Sequence, residues 1–257
     1  MRAALLILAA CGTNQTPQPE PVPTLPSCVP DRDGAITAAE LPIALDATLP
    51  YYAGANRTID QALHDGAWRF DEERADDEVI ELGPTALRTQ WYAGSFPSGQ
   101  FVVDSGGGLD GIYHQDEQAL WLDGTASHAE TPQTLVIYQP PLAVLRFPIT
   151  SGDAFTQNVA ITGATINGLP FNGSDELSVV VRASGRLDLP YVRFSPALEV
   201  QTLATRRAGT TTTSRRTTLF LFECFGEVTR AESRPDEPNP DFTSAAYLRR
   251  FALGVTP

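Results

Sequence analysis

The chain has 257 residues and a formal net charge of −13, from 31 acidic and 18 basic side chains. Such a field repels phosphate backbones and excludes nucleic acid as a partner. All 18 basic residues are arginine, which excludes a phosphate-loop lysine, a kinase lysine and a Schiff-base lysine.

Arg2 supplies a positive start, and Ala3 to Ala10 form an unbroken apolar run. Spanning about 30 Å of hydrocarbon takes about 20 helical residues, so this run reads as a cleaved secretory signal over residues 1–10. Leu8-Ala9-Ala10-Cys11 then resembles the lipobox of bacterial lipoproteins at every position. The resemblance implies lipid on the Cys11 sulfur, cleavage just before it and acylation of the new amino group. Each buried CH₂ contributes about 0.8 kcal/mol, so several acyl chains anchor firmly to a membrane. Gly12 after the cysteine implies, by the same likeness, an outer-membrane address in the cell envelope. An ordinary cleaved signal with an incidental cysteine is the alternative. Residues 11–27 read as a lipidated cysteine and a tether, because Thr13 to Pro26 carry five prolines and little apolar bulk.

Cys28 and Cys224 remain. In an oxidising compartment an isolated pair is expected to form a disulfide, with two free thiols as the alternative. With His64, His114 and His128 they make no zinc spacing. Residues 28–50 hold the sharpest local motif, Asp31-Arg32-Asp33-Gly34-Ala35-Ile36-Thr37-Ala38-Ala39-Glu40-Leu41. It resembles most of an EF-hand calcium loop. Asp31 and Asp33 match its third and fifth positions, Gly34 its sharp turn, Ile36 its inward apolar residue and Glu40 its bidentate carboxylate. Val29 stands where the first ligand belongs, Pro30 follows it, and no helix precedes. Two readings stay open: a loop that binds calcium weakly, or a calcium-free rigid turn.

Helical spacing is confined to Ile36–Leu49 and Ile59–Leu63. Asp71, Glu72, Glu73, Asp76, Asp77 and Glu78 form an acidic run, read as a solvated loop or a cation seat. Short β signals follow at Leu87–Tyr92, Gln100–Val103, Gly111–Tyr113, Ala119–Leu122, Thr134–Tyr138 and Leu142–Phe147. More lie at Ala154–Ile161, Leu177–Arg182, Val192–Thr205, Thr210–Cys224, Glu227–Glu232 and Thr243–Leu253. The continuous run Leu219–Phe222 points to burial on both faces. Residues 51–257 are expected to form a single antiparallel β domain, a meander closing as a sandwich, barrel or half-barrel, with one or two short N-terminal helices. Ser184 to Glu199, a glycine turn, a short strand into proline and a long strand, is similar to a pattern in exported half-barrel β carriers. That likeness implies an apolar ligand.

Two further motifs bear on chemistry. Asp104-Ser105-Gly106 resembles the catalytic turn of aspartic proteases, which needs a second carboxylate. Asp104-Ser105-Gly106-Gly107 and Thr125-Ala126-Ser127-His128 also resemble trypsin-like turns in reversed order. A glycine-rich loop between strands is the plain reading. Arg206, Arg207, Arg215 and Arg216 are symmetric about Thr211. A hairpin centred there sets like charges face to face, which calls for acidic neighbours, solvent or an anionic partner such as a lipid phosphate. The expected function is a lipid-anchored envelope lipoprotein with a non-enzymatic binding, carrier or structural role, partnered by the membrane and by an apolar ligand or envelope protein. The alternative is a hydrolase working through Asp104 and Ser105.

Overall fold

The computed structural model describes residues 28–254, so the signal at 1–10, Cys11 and the whole tether to residue 27 lie outside the described residues. The first strands are β1 (Ala35–Ile36), β2 (Leu49–Thr58), β3 (Ala67–Arg69), β4 (Glu78–Leu82) and β5 (Thr85–Ala86). Then come β6 (Phe101–Gly106), β7 (Leu109–Gln115), β8 (Ala119–Ser127), β9 (Leu135–Arg146) and β10 (Ile149–Thr150). The rest are β11 (Ala154–Ile166), β12 (Leu169–Leu189), β13 (Val192–Ala208), β14 (Thr211–Phe222), β15 (Gly226–Glu232) and β16 (Ser244–Phe251).

The fold is mainly β. β1 pairs with β10, and the other strands share one large sheet in the order β4-β2-β16-β15-β14-β13-β12-β11-β9-β8-β7-β6-β5. Its neighbours are antiparallel, except that β3 adds to β12 in parallel. β4 and β5 end this path at opposite edges, yet only Gly83 and Pro84 separate them in sequence. Three Cα steps of 3.8 Å reach at most about 11 Å. The sheet must therefore curl back until its edges stand close. They do not pair, so there is no closed barrel.

Curling gives the central strands two covered faces. Leu219, Phe220, Leu221 and Phe222 are all buried, as their continuous apolar run predicts. Phe220 packs edge-on against Trp68 and Phe70, with ring centroids 4.9 and 5.4 Å away. Leu219 and Leu221 point the other way, into a cluster with Leu145, Ile149, Val179, Val181, Leu198 and Val200. Gly185 is not a turn. It lies inside β12, where an added Cβ would stand 2.9 Å from Leu63 and 3.0 Å from Trp68, so its lack of a side chain lets both side chains approach the strand closely.

One short helix is present near the amino end, a 3₁₀ turn over Ala38–Glu40. Ile36 and Leu41 bury themselves in the central cluster rather than lining a helix face. Ile59–Leu63 is not helical, and Leu87–Tyr92 opens with a 3₁₀ turn, not a strand. The acidic run is partly neutralised from within: Asp77 takes Arg57 at 2.9 Å and also the buried Arg250, while Asp76 takes Arg57.

Candidate metal-binding sites

The loop that carries Asp31 and Glu40 is tied down at three points. Cys28 is disulfide-bonded to Cys224, the Cys224 amide donates to the Glu40 carbonyl at 2.7 Å, and the Arg32 amide donates to the Glu223 carboxylate at 2.9 Å. Arg32 and Gly34 take left-handed backbone, with φ of 62° and 91°, which folds the loop back on itself. The amide and hydroxyl of Thr37 donate to Glu40 at 2.9 and 2.7 Å, fixing that carboxylate at the start of the 3₁₀ turn.

These ties bring Asp31, Glu40 and Glu223 together, with one oxygen of each within 4.8 Å of the others. Asp33 does not join them; its carboxylate accepts the Ala35 amide at 2.8 Å and shapes the turn. Glu223 is 2 % exposed. Among the described residues, no arginine or histidine forms an ion pair with any of the three. Burying a carboxylate is costly unless it is paired, hydrogen-bonded or bound to a metal, and among the described residues the Arg32 amide is the one donor to Glu223. An all-oxygen set of this kind suits a hard cation such as calcium. Local spacing hides Glu223, because it lies far along the chain in the turn between β14 and β15. The one sequence signal for it is its place beside Cys224, which the disulfide carries to the loop.

A second cluster forms where the β6–β7 hairpin meets the end of β8. Asp104 and Asp110 are cross-strand partners. His128 Nε2 lies 3.0 Å from Asp110 and 3.7 Å from Asp104. Tyr92, itself buried, donates its hydroxyl to the other Asp110 oxygen at 2.6 Å. Burial, and then the hydrogen bond to Asp110, push the Tyr92 phenol far above its ordinary value. Ser105 lies near the exposed end of β6, just before the glycine turn.

The arginine hairpin turns at Gly209 and Thr210, so Arg206 faces Thr213 and Arg207 faces Thr212 rather than the other arginines. Asp175 grips Arg206 with both oxygens, at 2.8 and 2.6 Å. Arg207 meets Glu176 and Arg215 meets Glu232, each at 3.4 Å. Arg216 donates to the Glu237 and Pro238 carbonyls at 2.8 and 3.1 Å. The acidic neighbours that the sequence calls for are thus supplied largely by the flanking strands.

Two further charged groups sit inside the sheet. Burial raises the Glu199 carboxyl to about 7, with Arg182 opposing the shift and Asp241 adding to it. Burial also works to raise Glu227, but Arg230 and Arg249 outweigh it and hold that carboxyl at about 2. Two recesses, of about 210 and 260 Å³, open beside Val180 and beside Phe155. Both fall below the roughly 300–1,000 Å³ of small-molecule sites. No known family, curated protein or solved structure matches the chain.

Proposed function

We propose that this chain is an exported cell-envelope protein, held to a membrane by lipid on Cys11, with a non-enzymatic binding or structural role and a calcium ion bound by Asp31, Glu40 and Glu223. The carrying observation is the buried Glu223 carboxylate, which faces two more carboxylates and no cationic side chain. The Cys28–Cys224 disulfide supports export, since such bonds persist in oxidising compartments. The ion would lock the amino-terminal loop, and with it the root of the tether, onto the turn between β14 and β15. Its role there is mechanical, holding the folded part to its anchor point. The hydrolase alternative needs His128 to activate Ser105. Instead His128 Nε2 is paired with Asp110 at 3.0 Å and Asp104 at 3.7 Å.

Cell fractionation tests the address. In a Gram-negative host the wild-type chain is expected in the membrane fraction and Cys11→Ser in the soluble periplasmic fraction. Equal partition of the two forms would overturn the anchor.

A further inference from the structure

We infer that Asp104, Asp110 and His128 form a second metal site, built for a divalent transition ion with mixed nitrogen and oxygen ligation, and independent of the calcium loop. Asp104 and Asp110 stand directly opposite each other across the β6–β7 ladder. Like charges so placed repel, and Asp110 is 7 % exposed, so little water relieves it. A shared cation between them removes that conflict.

The spacing fits such an ion. With metal–ligand bonds of about 2.1 Å, donor atoms stand about 3.0 Å apart on neighbouring corners of an octahedron and about 3.4 Å apart on a tetrahedron. The imidazole nitrogen is 3.0 Å from one carboxylate and 3.7 Å from the other. Little movement is needed to centre an ion. Imidazole nitrogen beside two carboxylates suits zinc, manganese, iron or cobalt better than calcium, which takes oxygen ligands.

Each ligand also has a support that aims it. Tyr92 Oη donates to Asp110 Oδ2 at 2.6 Å, leaving Oδ1 for the ion. The Gly106 amide donates to Asp104 at 2.7 Å. The His128 amide donates to the Gly108 carbonyl at 2.9 Å, and the Trp91 indole donates to the Ser127 carbonyl at 2.9 Å, so the backbone under His128 is held on both sides. Partners of this kind set metal affinity through the ligands they orient. Beyond the ligands, open space surrounds the positions of a Cβ on Gly106, Gly107 and Gly108. Three protein ligands with an uncovered side leave room for water or an exogenous anion on the metal.

Cobalt(II) is the probe, because its visible absorption reports ligand number and type. The titration uses the full chain carrying Cys11→Ser, so that the cysteine thiol contributes no band. The expected result is one tightly bound cobalt per chain, with bands distinct from those of the aqueous ion. Asp104→Asn and His128→Gln should each abolish the bands, and Asp104 is half-exposed, so that variant keeps its fold. Tyr92→Phe should weaken binding about 10–100-fold, and Glu223→Gln should leave it intact. A spectrum identical to aqueous cobalt, or one unchanged by Asp104→Asn and His128→Gln, would show that the three groups form only a histidine–carboxylate ion pair and would overturn the site.

Discussion

Removing the Cys28–Cys224 crosslink isolates how the amino-terminal loop is held. The bond joins positions 196 residues apart. In the chain-entropy model a loop of that length restricts the unfolded chain by about 5 kcal/mol at 25 °C, with native disulfides generally contributing about 2–5 kcal/mol. Contacts that survive the change are already in place: Ile36 and Leu41 stay buried in the central cluster, and the Cys224 amide still reaches Glu40. The Cys28→Ser, Cys224→Ser double variant should therefore keep its fold but lose about 2–5 kcal/mol. The assay is urea unfolding in the presence of chelator, followed by tryptophan fluorescence, because Trp68 is fully buried. In a protein of this size the loss corresponds to a fall in Tm of about 5–20 °C. A loss below about 1 kcal/mol would instead mean that the crosslink barely constrains the unfolded chain.

Other expected outcomes follow from single groups. Glu199 is protonated more readily in the folded state, at about 7, than unfolded. The folded protein then holds the extra proton between the two values, and stability falls as pH rises through about 4.5 to 7. Glu199→Gln should remove that slope and stabilise the protein at pH 8 by up to about 3 kcal/mol, read from unfolding midpoints across pH. Glu227 has the opposite sign: its stabilisation is complete above the unfolded value and is lost as pH falls toward about 2, so Glu227→Gln should flatten the acid limb of the same profile. Gly185→Ala forces a Cβ against Trp68 and Leu63 and should cost about 1–3 kcal/mol with a shifted tryptophan emission. Arg206→Gln strips Asp175 of its bidentate partner, and because that guanidinium is about a third exposed the loss should be about 1 kcal/mol in thermal unfolding. An unchanged midpoint would return this arginine to the solvent-facing group.

Much of the fold is legible in the sequence because its strands carry strong local signals. Leu219–Phe222 marks a doubly covered strand, and β11 to β16 follow the β-branched runs. β2 escapes a local reading because its sequence, Leu-Pro-Tyr-Tyr-Ala-Gly-Ala-Asn-Arg-Thr, breaks the alternation. Gly54 is small there so that the Arg57 guanidinium can lie over it. Leu87–Tyr92 reads as extended, yet Leu87 and Tyr92 reach one core through a tight turn. Ile36–Leu49 has apolar residues at helical intervals, but Pro42 interrupts it and tertiary contacts take Ile36 and Leu41. The sites divide similarly. Asp31 and Glu40 are visible as a local loop pattern. Glu223, Asp110 and the support from Tyr92 are products of strand register and of a long-range crosslink, which no local spacing encodes.

A calcium ion shared by the loop and the β14–β15 turn is the proposal most open to direct measurement. Isothermal titration of the chelator-treated chain with calcium tests it, using Glu223→Gln and Asp31→Asn beside the wild type. One calcium is expected per wild-type chain, bound at least tenfold more weakly in each variant, with Asp33→Asn much less affected because that carboxylate caps Ala35. No binding heat in the wild type, or equal affinity in Glu223→Gln, would contradict it.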